Sequence, residues 1–232
     1  MSQTYRLSKT LYCKGKNCAK ALWLHFHKPE AQDPIDSYRK RLFDYGHGVG
    51  KRATESFPNG VLIDVPREEG ALALAETKKA LGKNPPAIFE GAFLHNDVLV
   101  RVDILENNND GTWNLIEVKS SSNVKPNPHY DDVAIQKWVL DGSGIQIQKS
   151  YIMIPTRGFS PKGKLDSTGK FVMYALDSDI VSHSNQIAEN IKTYQAKLNT
   201  TSEPIERTGE RCKRPYLCEF KTYCWKQNKN KH

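Results

Sequence analysis

Trp113-Asn114-Leu115-Ile116-Glu117-Val118-Lys119 is the stretch on which the fold turns. Its apolar run reads as a strand, and residues two apart on a strand point to the same face. Glu117 and Lys119 therefore stand side by side at the end of an otherwise apolar run. The preceding run, Arg101-Val102-Asp103-Ile104-Leu105, carries a second acid. Between the two runs, Asn107-Asn108-Asn109-Asp110-Gly111 is a strong turn signal. A hairpin through that turn brings Asp103 opposite or diagonal to Glu117 when residue sums across the ladder are even. Diagonal neighbours lie about 7–8 Å apart at the backbone, within reach of one shared ion, and a slip of one residue would separate them.

Working outward, Ala87–Leu94 reads as a strand, His95-Asn96-Asp97 as a turn, Val98–Glu106 as a second strand and Thr112–Lys119 as a third. Residues 120–130 form a polar, proline-containing loop. Asp131–Leu140 is helical, with Val133, Gln136, Lys137 and Leu140 around one face and Gly142 as its stop. Ile145–Ile154 is a strand reached through that helix, and such a crossover makes it parallel to its partner. On the N-terminal side, a helix spans 36–57, Val61–Val65 is a short strand, and Ala71–Leu81 is rich in strong helix formers. On the C-terminal side, Phe171–Leu176 adds a strand and Ser178–Leu198 a long helix capped by Asp177 or Ser178. Residues 199–211 are a polar linker. The fold class is α/β, with the order helix, three meandering strands, helix, strand, and a mixed sheet flanked by helices.

The chain has 232 residues, enough for one sizeable domain, and 38% hydrophobic content. It is read as a single domain over 1–232, with a core at 36–176 and a cysteine-bearing subregion at 1–30 and 205–226. No apolar run approaches spanning length, and Met1-Ser2-Gln3-Thr4-Tyr5-Arg6 lacks the apolar region of a secretory signal. The expectation is a soluble, cytoplasmic protein with no membrane partner. A formal net charge of +8 favours a polyanionic partner, although a basic surface that binds nothing has the same composition.

Two carboxylates can hold a divalent metal, and a neighbouring lysine can activate water or steady a phosphate. That set of groups suits phosphodiester hydrolysis. Taken alone, a Glu-x-Lys pair also fits an ordinary solvated strand face. Asp103 on the adjacent strand, Gln136 on the following helix and the element order shift the reading toward a site. Glu90, in Ile88-Phe89-Glu90-Gly91, lies on the first meander strand as a third acid or an exposed strand position.

Five cysteines without a secretory signal make metal ligation the live option. Cys212, Cys218 and Cys224 are spaced C-x5-C-x5-C near the C-terminus. Cys13 and Cys18 remain to supply a fourth ligand. Four thiolates fit Zn²⁺ or an iron–sulfur cluster.

Asp103 with Glu117-Val118-Lys119 resembles the bipartite signature of the PD-(D/E)XK nuclease superfamily, and the element order matches its α-β-β-β-α-β restriction-endonuclease-like core. Gln136 is similar to the glutamine motif of the RecB-like branch, although position 140 is Leu where that branch has Tyr. The same branch carries an upstream histidine ligand in a Gly-x-x-x-His pattern. In Gly46-His47-Gly48-Val49-Gly50 that position falls on Gly50, which leaves His47 as an offset candidate. Asn17-Cys18-Ala19-Lys20-Ala21-Leu22-Trp23-Leu24 and Pro215-Tyr216-Leu217-Cys218-Glu219-Phe220 resemble the two cluster motifs of iron–sulfur RecB-like nucleases. Those include CRISPR-associated exonucleases and the nuclease domains of some helicase–nuclease repair complexes. The resemblance covers residues 5 to 225.

It implies a metal-dependent, exonuclease-like deoxyribonuclease. Asp103, Glu117 and the Val118 carbonyl would hold Mg²⁺ or Mn²⁺, with Glu90 and His47 as further candidates. Lys119 would orient water, and Gln136 would position water, phosphate or a base. A 4Fe-4S cluster on Cys18, Cys212, Cys218 and Cys224 would join the two chain ends, with Cys13 left as a spare. The alternative is a catalytically weak or inactive nucleic-acid-binding protein that retains the fold; a zinc-stapled interaction protein is a third reading.

Lys9, Lys14, Lys16 and Lys20 crowd the N-terminus, and Lys213, Arg214, Lys221, Lys226, Lys229 and Lys231 the C-terminus. Joining the ends predicts one basic surface interleaved with Trp23, Tyr216, Tyr223 and Trp225, suited to single-stranded DNA or frayed ends. Packing around the cluster is the alternative role for these aromatics, expected at least for Trp23 and Trp225.

Overall fold

After a two-residue strand β1 (Leu7–Ser8), two short helices open the chain, α1 (Lys9–Asn17) and α2 (Ala19–His27). The Ser8 hydroxyl caps α1 by accepting from the Leu11 N–H at 3.2 Å. The computed structural model describes residues 5–156, 164–166 and 168–229. Next come α3 (Ser37–Ala53), β2 (Val61–Leu62), α4 (Gly70–Gly82), β3 (Ala87–His95), β4 (Val98–Asn107) and β5 (Trp113–Val118). Then follow α5 (Pro128–Gly142), β6 (Ile147–Pro155), β7 (Lys164–Leu165), β8 (Phe171–Ala175), α6 (Val181–Ser184), α7 (Ile187–Leu198) and α8 (Lys221–Lys229).

The strands form a mixed sheet in the order β2-β3-β4-β5-β6-β8-β7. The β3-β4-β5 meander is antiparallel, and β6 lies parallel to β5 as the helical crossover requires. β1 pairs with Val98 and Leu99 of β4, on the part of its edge that β5 does not reach. Helices flank the sheet, and alternation along β5 sorts its two faces. Trp113 and Leu115 join the larger core with Val133, Ile135 and Val139 of α5 and Ile187 and Ile191 of α7. Ile116 and Val118 pack on the opposite side, with Val49 and Ala53 of α3 and Phe171 of β8.

Several helices depart from expectation. α5 begins at Pro128, three residues before Asp131, because a proline in the first turn gives up an N–H that has no partner there anyway. The expected single helix over Ser178–Leu198 is broken at Asn185-Gln186. Ser184 bonds back to the Ile180 carbonyl at 3.0 Å, and such local hydroxyl bonds compete with helix continuation. Asp177 does not cap a helix; its carboxylate accepts from the Ser150 N–H at 2.9 Å on β6. The segment before Cys18, given no helix from sequence, forms α1. Lys231 lies outside the described residues.

Candidate functional site

The acidic residues meet at the middle of the sheet. β4 pairs with β5 through Leu105↔Leu115 and Ile104↔Ile116, so one further step in that register sets Asp103 opposite Glu117. β3 pairs with β4 through Phe89↔Ile104 and Gly91↔Val102. Between those pairs Glu90 stands opposite Asp103, at a step where the ladder is interrupted. Glu90 has φ 55°, a left-handed conformation that a residue with a Cβ seldom adopts inside a strand. Glu90, Asp103 and Glu117 thus occupy one row across three adjacent strands. Glu90 takes its place through a backbone distortion that strand periodicity does not show.

Glu117 is 1% exposed and enclosed by polar groups. Lys9 Nζ lies 2.6 and 2.8 Å from its two oxygens. Lys119 Nζ lies 2.7 Å from Oε1, and Gln136 Nε2 donates to Oε2 at 2.7 Å. Lys9 reaches it because β1 docks on β4 and the Ser8 cap starts α1 directly beside the end of β5. In the sequence Lys9 is one of several basic residues near the N-terminus; its place immediately after a capping serine is the available signal. Lys119 also pairs with Asp132 of α5, a second acid the sequence did not single out. Asp132 in turn accepts from the Cys13 thiol at 3.4 Å. Cys13, spare in the cysteine count, therefore belongs to the acidic site. Gln136 is fully buried, and among the described residues its Oε1 has no hydrogen-bond partner. Asp103 Oδ2 accepts from the Val118 N–H at 2.7 Å. His129 is buried near this group, its Nδ1 accepting from the Lys125 N–H at 3.0 Å. Burial and the Lys119 charge push its pKa down to about 4, so the ring is neutral.

Asp103 and Glu117 are driven apart in acidity. Burial raises Glu117, but the Lys119 and Lys9 ammoniums outweigh it and hold its carboxyl well below the usual range. Burial, with the charges of Glu117 and Glu90 adding to it against Lys9, pushes Asp103 up to about 7. Lys119 and Lys9 are both raised: desolvation opposes their charge, and the adjacent carboxylates override it.

His47 sits on the exposed side of α3, whose packing residues are Val49 and Ala53. The helical periodicity that buries Val49 turns His47 toward solvent, so among the described residues it joins neither Asp103 nor Glu117.

The four cysteines expected to act together share one neighbourhood. Cys18, Cys218 and Cys224 pack on Ala21, Trp23, Leu24 and Phe220, and Cys212 is buried. The Cys218 N–H donates to the Cys212 carbonyl at 3.0 Å. All are free thiols. Burial pushes Cys218 and Cys224 up to about 11, Cys18 and Cys212 adding to the shift in both, and burial raises Cys18 as well. Among the described residues no three His, Cys, Asp or Glu side chains stand ready-arranged around a metal position.

The basic surface differs from expectation. Lys9 is taken by Glu117, Lys14 by Glu219, Lys16 by Asp131 and Lys20 by Glu203. The N-terminal lysines tie chain segments together and do not form an open cationic face. Trp23 is buried, stacked on His27 at 4.4 Å, with its N–H on the Thr200 carbonyl at 3.1 Å. Tyr223 is held by Lys28, Glu203 and Gln227. Among the described residues, no helix is long and apolar enough to cross a membrane.

No family model and no curated protein matches this chain. Among solved structures it is similar to the crystal structure of SSO0001, with 13% identity over 97% of this chain and 88% of that one, at a TM-score of 0.45.

Proposed function

We infer that this chain is a divalent-metal-dependent deoxyribonuclease of the PD-(D/E)XK, RecB-like type, exonuclease-like, with a structural 4Fe-4S cluster. The observation that carries the reading is the Glu90, Asp103, Glu117 row with Lys119 and Gln136 on its buried end. Hard oxygen donors suit Mg²⁺ or Mn²⁺. The orphaned Gln136 Oε1 is a buried acceptor waiting for a donor such as a bound water. By donor type these residues suit the ion: with Lys9 displaced from Glu117, Asp103, Glu117 and the Val118 carbonyl would hold it, with Glu90 next to them. When bound, the ion supplies charge stabilisation and a more acidic water. Lys119, placed between Glu117 and Asp132, orients the attacking water and steadies charge on the phosphate. Gln136 fixes the Glu117 carboxylate in place, and burial on the α5 face keeps bulk water from it.

Cys18, Cys212, Cys218 and Cys224 offer four sulfurs, the donor set of a 4Fe-4S cluster. Such a cluster would close a loop of about two hundred residues, a strong restraint on the unfolded chain. Lys9 on both Glu117 oxygens favours a second reading, a nucleic-acid-binding protein whose metal seat is filled by an amine. Incubation of purified protein with Mn²⁺ and single- or double-stranded DNA separates the two. The nuclease reading expects cleavage that Lys119→Ala abolishes; cleavage at the wild-type rate in that variant would sink it.

A further inference from the structure

The apolar face of α3 runs on past the point where the body of the protein covers it. Tyr38, Leu42, Tyr45 and Val49 follow one another at the spacing of a single helical stripe. Val49, with Ala53 beyond it, is buried against the sheet. The other end of the stripe lies bare: Tyr38 is 62% and Leu42 49% exposed, with Ile35 60% exposed just ahead of the helix. Of the eleven large apolar side chains exposed among the described residues, five fall within residues 35–45. Single exposures scattered over a surface are ordinary, whereas a contiguous run on one helix marks an interaction surface.

The body supports this half of the helix weakly. Its start is held by the Asp36 carboxylate, which accepts from the Arg39 N–H at 2.7 Å. Gly46 and Gly48 separate it from Val49. A Cβ on Gly48 would meet no atom within 4 Å, so packing within this chain does not require glycine there. A glycine inside a helix costs about 1 kcal/mol against alanine.

Charge selects the partner. Arg41, three residues after Tyr38 and four before Tyr45, borders the stripe, and Arg52, three after Val49, continues that border. Both are exposed, and among the described residues neither has an ion pair. Arg39, on the other border, approaches Asp36 at 4.0 Å. Asp44, the one acid within α3, falls on the opposite side of the helix. With both borders basic, a second copy of this chain would set arginine against arginine in either orientation.

We propose that the exposed half of α3 docks an acidic amphipathic helix of a partner protein, whose apolar stripe packs on Tyr38, Leu42 and Tyr45 and whose flanking carboxylates pair with Arg41 and Arg52. The mode is helix on helix, with apolar anchors giving affinity and charge giving orientation and choice of partner. Docking firms residues 37–45. The surface adjoins the acidic site, because a Cβ on Gly46 would come 4.0 Å from the hydroxyl oxygen of Ser120, the residue after Lys119.

The test is the anisotropy of a labelled three-heptad peptide, with leucine at a and d and glutamate at e and g, titrated with full-length protein. Its facing glutamates keep the peptide from pairing with itself. A twin with lysine at e and g, and an oligodeoxythymidine, are run beside it. The acidic peptide should bind saturably and about 10-fold or more tighter than its lysine twin. Leu42→Ser should weaken it by about 10-fold or more, as loss of a central apolar anchor does. Arg41→Glu with Arg52→Glu should reverse the preference between the two peptides. Thermal midpoints equal to wild type establish that these exposed-site variants fold. Hydrogen exchange at residues 37–45 should slow in the complex. No saturable binding, Leu42→Ser within about twofold of wild type, a peptide preference that survives the double charge change, or unchanged exchange at residues 37–45 would each overturn the proposal. So would an oligodeoxythymidine that displaces the peptide and depends on Leu42, which assigns the face to nucleic acid, or dimers that Leu42→Ser dissolves, which assign it to a second copy.

Discussion

Lys9 and Glu117, 108 residues apart in sequence, form an ion pair between a half-buried ammonium and a buried carboxylate, the ammonium lying 2.6 and 2.8 Å from the two carboxylate oxygens. The N-terminal segment is thereby fastened to the centre of the acidic site. Removing one member of a buried pair leaves the other charge short of a partner. Lys119 and Gln136 remain on Glu117, so Lys9→Met should cost about 1–3 kcal/mol of stability in the metal-free protein, less than a fully orphaned charge. The same change clears the carboxylate for a cation. Thermal unfolding should therefore show a larger Mn²⁺-induced rise in midpoint for Lys9→Met than for wild type, and an equal or smaller rise would show that Lys9 does not compete with the ion.

Gln136 holds Glu117 from α5 and itself bonds to the Asp132 carbonyl at 2.8 Å. Residues that orient a ligand typically account for about 10–100-fold in metal affinity or activity. Gln136→Ala should lower Mn²⁺-dependent cleavage by that factor while circular dichroism stays native. Gln136→Glu, which adds a carboxylate against Glu117, should be worse than Gln136→Ala, and the opposite ranking would contradict the positioning role.

Asp103 predicts a pH signature in the metal-free protein. Its folded pKa is about 7 against an ordinary 3.8, so the folded state binds more protons than the unfolded between those values. Stability from this group is then complete below about pH 4 and is lost as pH rises through about 7. Asp103→Asn removes that dependence. Chemical denaturation at pH 5 and pH 8 should show the variant gaining on wild type by roughly 1–3 kcal/mol at the higher pH. Parallel profiles for the two proteins would remove the assignment of the raised group to Asp103.

The cysteines divide into two classes. On the cluster reading the anaerobically purified protein should be brown and contain iron, and Cys218→Ser or Cys224→Ser should lose both and lower its thermal midpoint. Cys13→Ser should keep both, because its thiol bonds to Asp132 and belongs to the acidic site. Iron loss in Cys13→Ser equal to that in Cys218→Ser would place Cys13 at the cluster.

Much of the sheet was legible because its signals are local. The asparagine-rich turn set the β4–β5 register, which brought Asp103 opposite Glu117, and the glycine-stopped helix α5 made β6 parallel. Gln136 was found by its helix position after the strand. What stayed hidden depends on tertiary contacts. Lys9 looked like one of many lysines until β1 docked on β4. Asp132 lay on α5 without a motif. Glu90 opposite Asp103 required a left-handed residue within a strand, and the inward turn of four N-terminal lysines required knowing which carboxylates meet them. His47 carried a plausible pattern but sits half a turn from the face that packs.

The account rests on a divalent ion between Asp103 and Glu117 and on iron at the four cysteines. Anomalous diffraction from crystals grown anaerobically and soaked in Mn²⁺, with data at the manganese and iron edges, tests both at once. The account predicts a manganese peak bounded by Asp103, Glu117 and the Val118 carbonyl, and an iron peak among Cys18, Cys212, Cys218 and Cys224. No manganese at the acidic row with Lys9 still on Glu117, or a lone zinc among the cysteines, would contradict it.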